Sequence, residues 1–436
     1  MTILGVVFAV ALLIVLIAAL RVQPFIAFII TSLIAAVLLG VSPEQIPKTI
    51  ERGIGDMLGA LAIIICLGAM FGKLIADSGA AQRIAETLMK WFGPARVPLA
   101  MALTGFVVGI PLFYNVGFVL LVPLVFSVVY RSRLPPMLVG IPMLSGLSIA
   151  HGFLPPHPSP TALVAQFDAD MGLTLLYGCV ISVPTLLIAG PLFARTLSRM
   201  QVGSLDLFKP TSLAEEQLPG AFNSFACALL PVVLIGGATL LGYGNFDPEL
   251  LVLIEFIGNP TIVMLLSLFV ATITLGVARG MRLAQIMNGY GLAVRDIAGI
   301  LLIIAGAGAL KQVFVDSGVN TELGKLLANI PIHPLLLGWL VAFAIRIALG
   351  SATVAGLTAA GIVAPLIEIT GVDRNLMVLA VGAGSLMCSH VNDSGFWMFK
   401  EYFQVSLSDT FRSWTMMETL VGSLGIVFVL LLNAWL

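Results

Sequence analysis

VPLAMALTGFVVGIPLFYNVGFVLLVPLVFSVVY, residues 97–130, is the stretch whose reading decides the fold. Its 34 residues carry no charge, and they are too many for one bilayer crossing of about 20 residues. Gly109-Ile-Pro-Leu-Phe-Tyr-Asn-Val-Gly117 interrupts the run and leaves flanks, Val97–Val108 and Phe118–Tyr130, each too short for a comfortable crossing. Basic residues stand on both sides, Lys90 and Arg96 before and Arg131 and Arg133 after. Two full crossings would push the Pro-Asn-Gly turn to the opposite surface. Half-length arms instead predict a re-entrant hairpin, because irregular backbone at membrane depth survives only where it lines a cavity.

The hairpin has a twin. An ungapped shift of 239 positions carries His151 onto His390, Asp77-Ser-Gly79 onto Asp316-Ser-Gly318, and Gly117 onto Gly356. Under that shift a second long stretch, Ile332 to Thr370, aligns with the first and breaks at Ala348–Gly356. The chain therefore reads as two copies of one unit: residues 1–199 with a hairpin at about 97–130, a soluble linker at 200–221, and residues 222–436 with a hairpin at about 332–370. The linker is marked by Asp206, Lys209, Pro210, Glu215, Glu216 and Pro219.

Composition sets the class. The 436 residues are 59% hydrophobic and 10% charged, with a mean hydropathy of +1.09, as a polytopic membrane protein requires. A net charge of −1 gives no footprint for nucleic acid. Cys66, Cys179, Cys227 and Cys388 lie singly in apolar stretches, against a zinc site or a disulfide framework. The first run, Ile3–Leu20, lacks a preceding basic residue and is expected to be a retained span. Pro24–Val41, Ile54–Phe71, Pro135–Ala150 and Leu173–Ala194 follow it, with Ala80–Trp91 as an amphipathic interfacial segment. Four prolines mark His151–Pro160 as a non-helical break. In the second copy the spans are Phe222–Leu241, Pro260–Ala278, Ile297–Val315, Leu376–Asp393 and Thr415–Leu436, with an acidic loop between the first two and an interfacial Asn320–Asn329.

Each copy then holds five transmembrane helices and one re-entrant hairpin. Five is odd, so the second copy is inverted. Six basic residues around the first hairpin (Lys73, Arg83, Lys90, Arg96, Arg131, Arg133) against Lys311, Lys325 and Arg374 around the second point the same way, the first hairpin entering from the cytoplasm. Inverted repeats with paired broken helices belong to secondary transporters, which hold substrate near midplane.

The polar residues of the breaks are the candidate site. A broken helix leaves N–H groups aimed at the gap, which favours an anion. Tyr114, Asn115 and Gly117 in the first tip, and Ser351 and Thr353 in the second, can meet hydroxyl or carboxylate groups. Arg346, in an apolar arm, clamps a substrate carboxylate, pairs with Asp393 or Glu368, or snorkels to the interface. Ser389-His-Val-Asn-Asp-Ser-Gly395 supplies His390, Asn392 and Asp393, and His151 is the equivalent of His390. His390 and Asn392 can bind substrate, while Asp393, His390 and His151 can accept a coupling proton; Asp393 can alternatively help bind a cation. His157 and His333, beside prolines, read as surface or turn residues, and Asp77 and Asp316 as helix ends. No His-Glu-x-x-His or Gly-x-Gly-x-x-Gly motif is present, so enzyme and ATP-driven readings fail and no cofactor beyond a coupling proton is called for.

Gly109–Gly117, His151-Gly-Phe-Leu-Pro-Pro-His157-Pro, Gly350-Ser-Ala-Thr353 and Ser389-His-Val-Asn-Asp-Ser-Gly-Phe-Trp397 resemble the gluconate permease (GntP) family over essentially the whole chain. The resemblance implies proton-coupled uptake of gluconate or a related hydroxy acid across a bacterial inner membrane. Through the wider ion-transporter superfamily it implies a homodimer in which a domain bearing both hairpins moves against a fixed scaffold, as in an elevator. Members also carry idonate and D-serine, so D-serine or another sugar acid is the alternative cargo. An anion or polyol channel is the rival of a different class.

Overall fold

The computed structural model describes residues 2–203, 213–244 and 246–436, without the side chains of Thr2, Ile3, Asn115, Arg131 and Asn320. Among the described residues the protein is all helix, with no strand, and eight helices are long and apolar enough to cross a bilayer. It is an all-α polytopic membrane protein.

Four interruptions shape it. Val97–Gly109 and Tyr114–Ser132 are joined by residues 110–113 and form the first hairpin. The 13-residue arm reaches only about 20 Å, and it bends by 111° from the amphipathic Ala80–Phe92 helix. Pro334–Leu349 and Ala352–Thr370, joined by Gly350 and Ser351, form the second hairpin. Gly350 holds φ +75°, the left-handed cap that ends the first arm. Pro136–Phe153 breaks before Pro158–Phe167, and Arg374–Leu386 breaks before Ser394–Phe403.

The order of helices repeats. Ile46–Asp77, Ala80–Phe92, the first hairpin, Pro136–Phe153 and Pro158–Phe167 recur as Leu283–Asp316, Val319–Ala328, the second hairpin, Arg374–Leu386 and Ser394–Phe403. The offset is 239 at Asp77 and Asp316, 238 at Pro136 and Arg374, and 236 at Pro158 and Ser394, so the second copy is three residues shorter by the point where its last helix restarts. The two long members of the set, Ile46–Asp77 and Leu283–Asp316, pack antiparallel along their length. Thr49 Oγ1 donates to Asp316 Oδ2 at 2.6 Å, Gly53 faces Gly308, and Gly289 lies beside Asp77. A side chain at Gly53 would strike the Gly308 carbonyl and come within 2.9 Å of Ala309 Cα, so the two backbones meet with nothing between them.

Three expectations need correction. The non-helical break is residues 154–157 rather than His151–Pro160, because Pro158 and Pro160 occupy the first turn of the next helix, where no intrahelical donor is lost. The expected acidic loop between Phe222–Leu241 and Pro260–Ala278 contains a helix, Pro248–Gly258, with Pro248 at its first position. Leu376–Asp393 is not one element: the helix starting at Ser394, capped by Asp393 accepting from the Gly395 N–H at 3.0 Å, was hidden by the polar cluster before it. The expected linker at 200–221 falls partly outside the described residues. From Leu213 it is held by the paired amide of Gln82 and by carbonyl contacts from Arg83 and Arg279.

Gly53→Val should destabilise the protein by about 1–3 kcal/mol through overpacking. Gly55→Val, where a Cβ meets nothing within 4 Å, should change it by less than about 0.5 kcal/mol. Thermal unfolding of the two detergent-solubilised variants checks the contrast; equal effects would deny the tight crossing.

Candidate functional site

Both hairpin tips and both breaks face one cavity of about 430 Å³. On the first-hairpin side, His157 Nε2 bonds the Leu112 carbonyl at 2.9 Å, and His157 Nδ1 lies 3.1 Å from His151 Nδ1. A carbonyl only accepts, so Nε2 carries a proton. A neutral His157 therefore offers its Nδ1 lone pair to a proton on His151 Nδ1, an assignment made from the network. His151 Nε2 is left without a bond inside this chain of contacts. Tyr114 leans on the His151 ring, 5.5 Å between centroids, and on Trp414 at 6.1 Å. The Tyr114 hydroxyl is buried with no partner.

On the second-hairpin side, an open C-terminal carbonyl of the first arm is taken up by the break of the same half. Asn392 Nδ2 donates to the Ile347 carbonyl at 2.8 Å, and His390 Nε2 donates to the same oxygen at 3.1 Å. Ser351 caps the second arm by accepting from the Val354 N–H. Arg346 is 3% exposed and donates through Nη2 to Asp393 Oδ2. Its Nε and Nη1 are buried without partners. Asp393 also accepts from the Ser389 hydroxyl, which in turn accepts from Trp414 Nε1 at 2.7 Å. Across the cavity Glu418, likewise 3% exposed, accepts from Ser148 Oγ at 2.8 Å. One guanidinium with two spare nitrogens, three carboxyl groups (Asp296, Asp393 and Glu418), a histidine pair and several hydroxyls thus line one space. Such a space can hold an anionic polyol and exchange a proton with it nearby.

The profile of the GntP family permease matches residues 1–435. The chain belongs to the GntP permease family. It is 47% identical to the Gnt-II system L-idonate transporter of Escherichia coli (strain K12), over 98% of this chain and 97% of that one. It is 45% identical to a high-affinity gluconate transporter of the same organism, over 95% of both chains. A gluconate permease of Bacillus subtilis (strain 168) is 43% identical over 96% of both. In fold this GntP permease resembles the YdaH transporter of Alcanivorax borkumensis, with a TM-score of 0.67 at 14% identity, covering 94% of this chain and 97% of that one. It also resembles MtrF of Neisseria gonorrhoeae, with a TM-score of 0.69 at 13% identity and 94% of both chains covered. The protein is a multi-pass membrane transporter rather than an enzyme.

Of the residues singled out in the sequence, the GntP permease brings Tyr114, His151, Arg346, Ser351, Thr353, Asn392 and Asp393 to the cavity wall. Gly117 does not reach it: Gly117 is buried where a Cβ would come within 2.7 Å of Leu147, so its role is close packing. His390 stands outside the lining, occupied with the Ile347 carbonyl. Asn115 begins the second arm, and its side chain is outside the described residues. His157, expected at a surface turn, is a turn residue but only 3% exposed. Asp296, Glu418, Ser148 and Trp414 were missed. Glu418 had a signal, being the one carboxylate in the apolar run Met416–Trp435.

Asp393→Ala should cost about 3 kcal/mol, because it strands a buried guanidinium without its counter-charge. Arg346→Met combined with Asp393→Leu should restore most of that stability while abolishing transport. Unfolding midpoints in detergent measure both; a double variant no more stable than Asp393→Ala would refute the pairing as the cause.

Proposed function

We propose that this permease moves gluconate, or a closely related sugar acid, into the cell together with a proton. The observation that carries the reading is Arg346, buried at the cavity wall with two nitrogens, Nε and Nη1, unspent after its bond to Asp393. A carboxylate fits those donors, and the hydroxyls of Tyr114, Ser351 and Thr353 suit a polyol chain. The names of the relatives, idonate and gluconate transporters, support that cargo. The proton follows from charge. Cargo brings a negative charge into a space already holding Asp296, Asp393 and Glu418, and a proton on Glu418 or on the His151–His157 pair offsets it. One proton per monoanion makes the cycle electroneutral.

The motion we infer is of an elevator type between two inverted repeats. Its support is that Ile46–Asp77 and Leu283–Asp316, equivalent in the helix order, run antiparallel, and that each hairpin tip is bonded to the break beside it. Such tied pieces move as bodies more readily than as separate flaps. The bacterial cytoplasmic membrane is the matching location.

In proteoliposomes an inward gradient of one pH unit should drive up to about tenfold accumulation of gluconate per coupled proton, collapsing with the gradient. Glu418→Gln should retain exchange of labelled for unlabelled gluconate but accumulate none above equilibrium. Uphill uptake by that variant would remove Glu418 from coupling, and equilibration without accumulation by the wild type would indicate a channel. Stronger competition by D-serine than by gluconate would reassign the cargo.

A further inference from the structure

A second cavity, of about 310 Å³, lies where the C-terminal ends of Pro158–Phe167 and Ala352–Thr370 meet the Leu283–Asp316 helix. Pro158 lines the central cavity and Phe167 lines this one, so a ten-residue helix of about 15 Å separates the two spaces. The outer cavity opens to water, since Asp168 is 96% and Glu368 67% exposed at its rim. Both carboxylates pair with Arg374, and with Lys311 the four charges that line the cavity sum to zero. Lys311 is therefore the cation that an incoming anion would meet. Its Nζ donates to the Gln166 backbone carbonyl at 2.9 Å, and an ammonium has three such donors. Gln166 lines the same cavity at 4% exposure, and neither its Oε1 nor its Nε2 has a partner. Burying an amide unbonded costs free energy that a ligand can recover.

The fold does not demand this polar pair. In the other half, the position equivalent to Lys311 is Gly72, where a Cβ would strike the Pro111 carbonyl. The position equivalent to Gln166 is Tyr402, its ring 5.7 Å from that of Phe118. In that half a glycine against the hairpin tip and an aromatic ring stand at the positions of Lys311 and Gln166. A smaller cavity, of about 130 Å³, lies at the equivalent place between Ala76, Gln82 and Leu124, and no lysine lines it.

We propose that the outer cavity is a vestibule subsite that captures a hydroxy-acid anion before it descends to Arg346. Lys311 supplies the charge for the carboxylate. The Gln166 amide, donor and acceptor in one group, bonds an adjacent hydroxyl from either side, and the Thr321 hydroxyl completes the polar wall. The proposal rests on the reading above that the cargo is a sugar acid.

The test uses Lys311→Gln and Gln166→Leu in the full-length protein. In cells, each should raise the KM for gluconate about fivefold to tenfold, the loss of one charged or amide contact, with the maximal rate unchanged. An unchanged KM overturns the subsite, and so does a fall in maximal rate at constant KM, which is what a structural latch would give. Should the wild type not take up gluconate at all, the cargo reading fails, and a second measurement still decides the vestibule. Acetate, lactate and gluconate are titrated against the purified Arg346→Met/Asp393→Leu protein, whose central site is removed. Thermal stabilisation by at least one of them should persist there and disappear when Lys311→Gln is added. No stabilisation in the first protein, or its survival in the second, overturns the proposal.

Discussion

Backbone polar groups at membrane depth have no water to turn to, and that constraint organises this protein. Each of four helix breaks exposes carbonyls or N–H groups, and each is satisfied by another break or by a cap. The first tip gives the Leu112 carbonyl to His157, and the second gives the Ile347 carbonyl to His390 and Asn392. Ser351 and Asp393 cap the helices that restart, while Thr415 takes the Ser389 carbonyl at 2.5 Å. The polar cavity follows from this mutual accommodation, since breaks that serve one another must lie together.

The two halves use one backbone scheme with different chemistry. His157 and Asp393 occupy equivalent places immediately before a restarted helix. One is tied to a neighbouring histidine and a carbonyl, the other to an arginine and a serine. An inherited geometry has thus been given a titratable pair on one side and a charge clamp on the other. The last helix joins them, sending Trp414 to Ser389 and Glu418 to Ser148.

Much of the architecture was legible because the hairpins announce themselves twice. An uncharged run too long for one crossing, broken by Pro111 and Gly117, has a counterpart 239 residues later that carries Arg346 and Glu368, and helix pairs joined by short turns lie at Val97–Ser132 and Pro334–Thr370. Helix restarts were harder to read. Prolines at 158 and 160 suggest irregular chain, yet they are harmless in a first turn. Asp393 invites a chemical reading before a capping one, and it does both jobs. The ungapped shift aligns His390 with His151, but the offset falls to 236 by Ser394, and His390 lies in the break before that helix, facing a carbonyl. Glu418 escaped notice because nothing local says which face of a lone apolar helix is enclosed.

The glycine contact between Gly53 and Gly308 joins stretches of chain made far apart in time. Helix 46–77 leaves the ribosome more than two hundred residues before the surface it needs exists. Until then its smooth glycine face has only lipid or earlier helices to lean on, and the amino-terminal half must wait in the bilayer, inserted but unfinished. Assembly of this protein is therefore a late, long-range event, and a nascent chain interrupted before residue 308 would lack the seam that closes it.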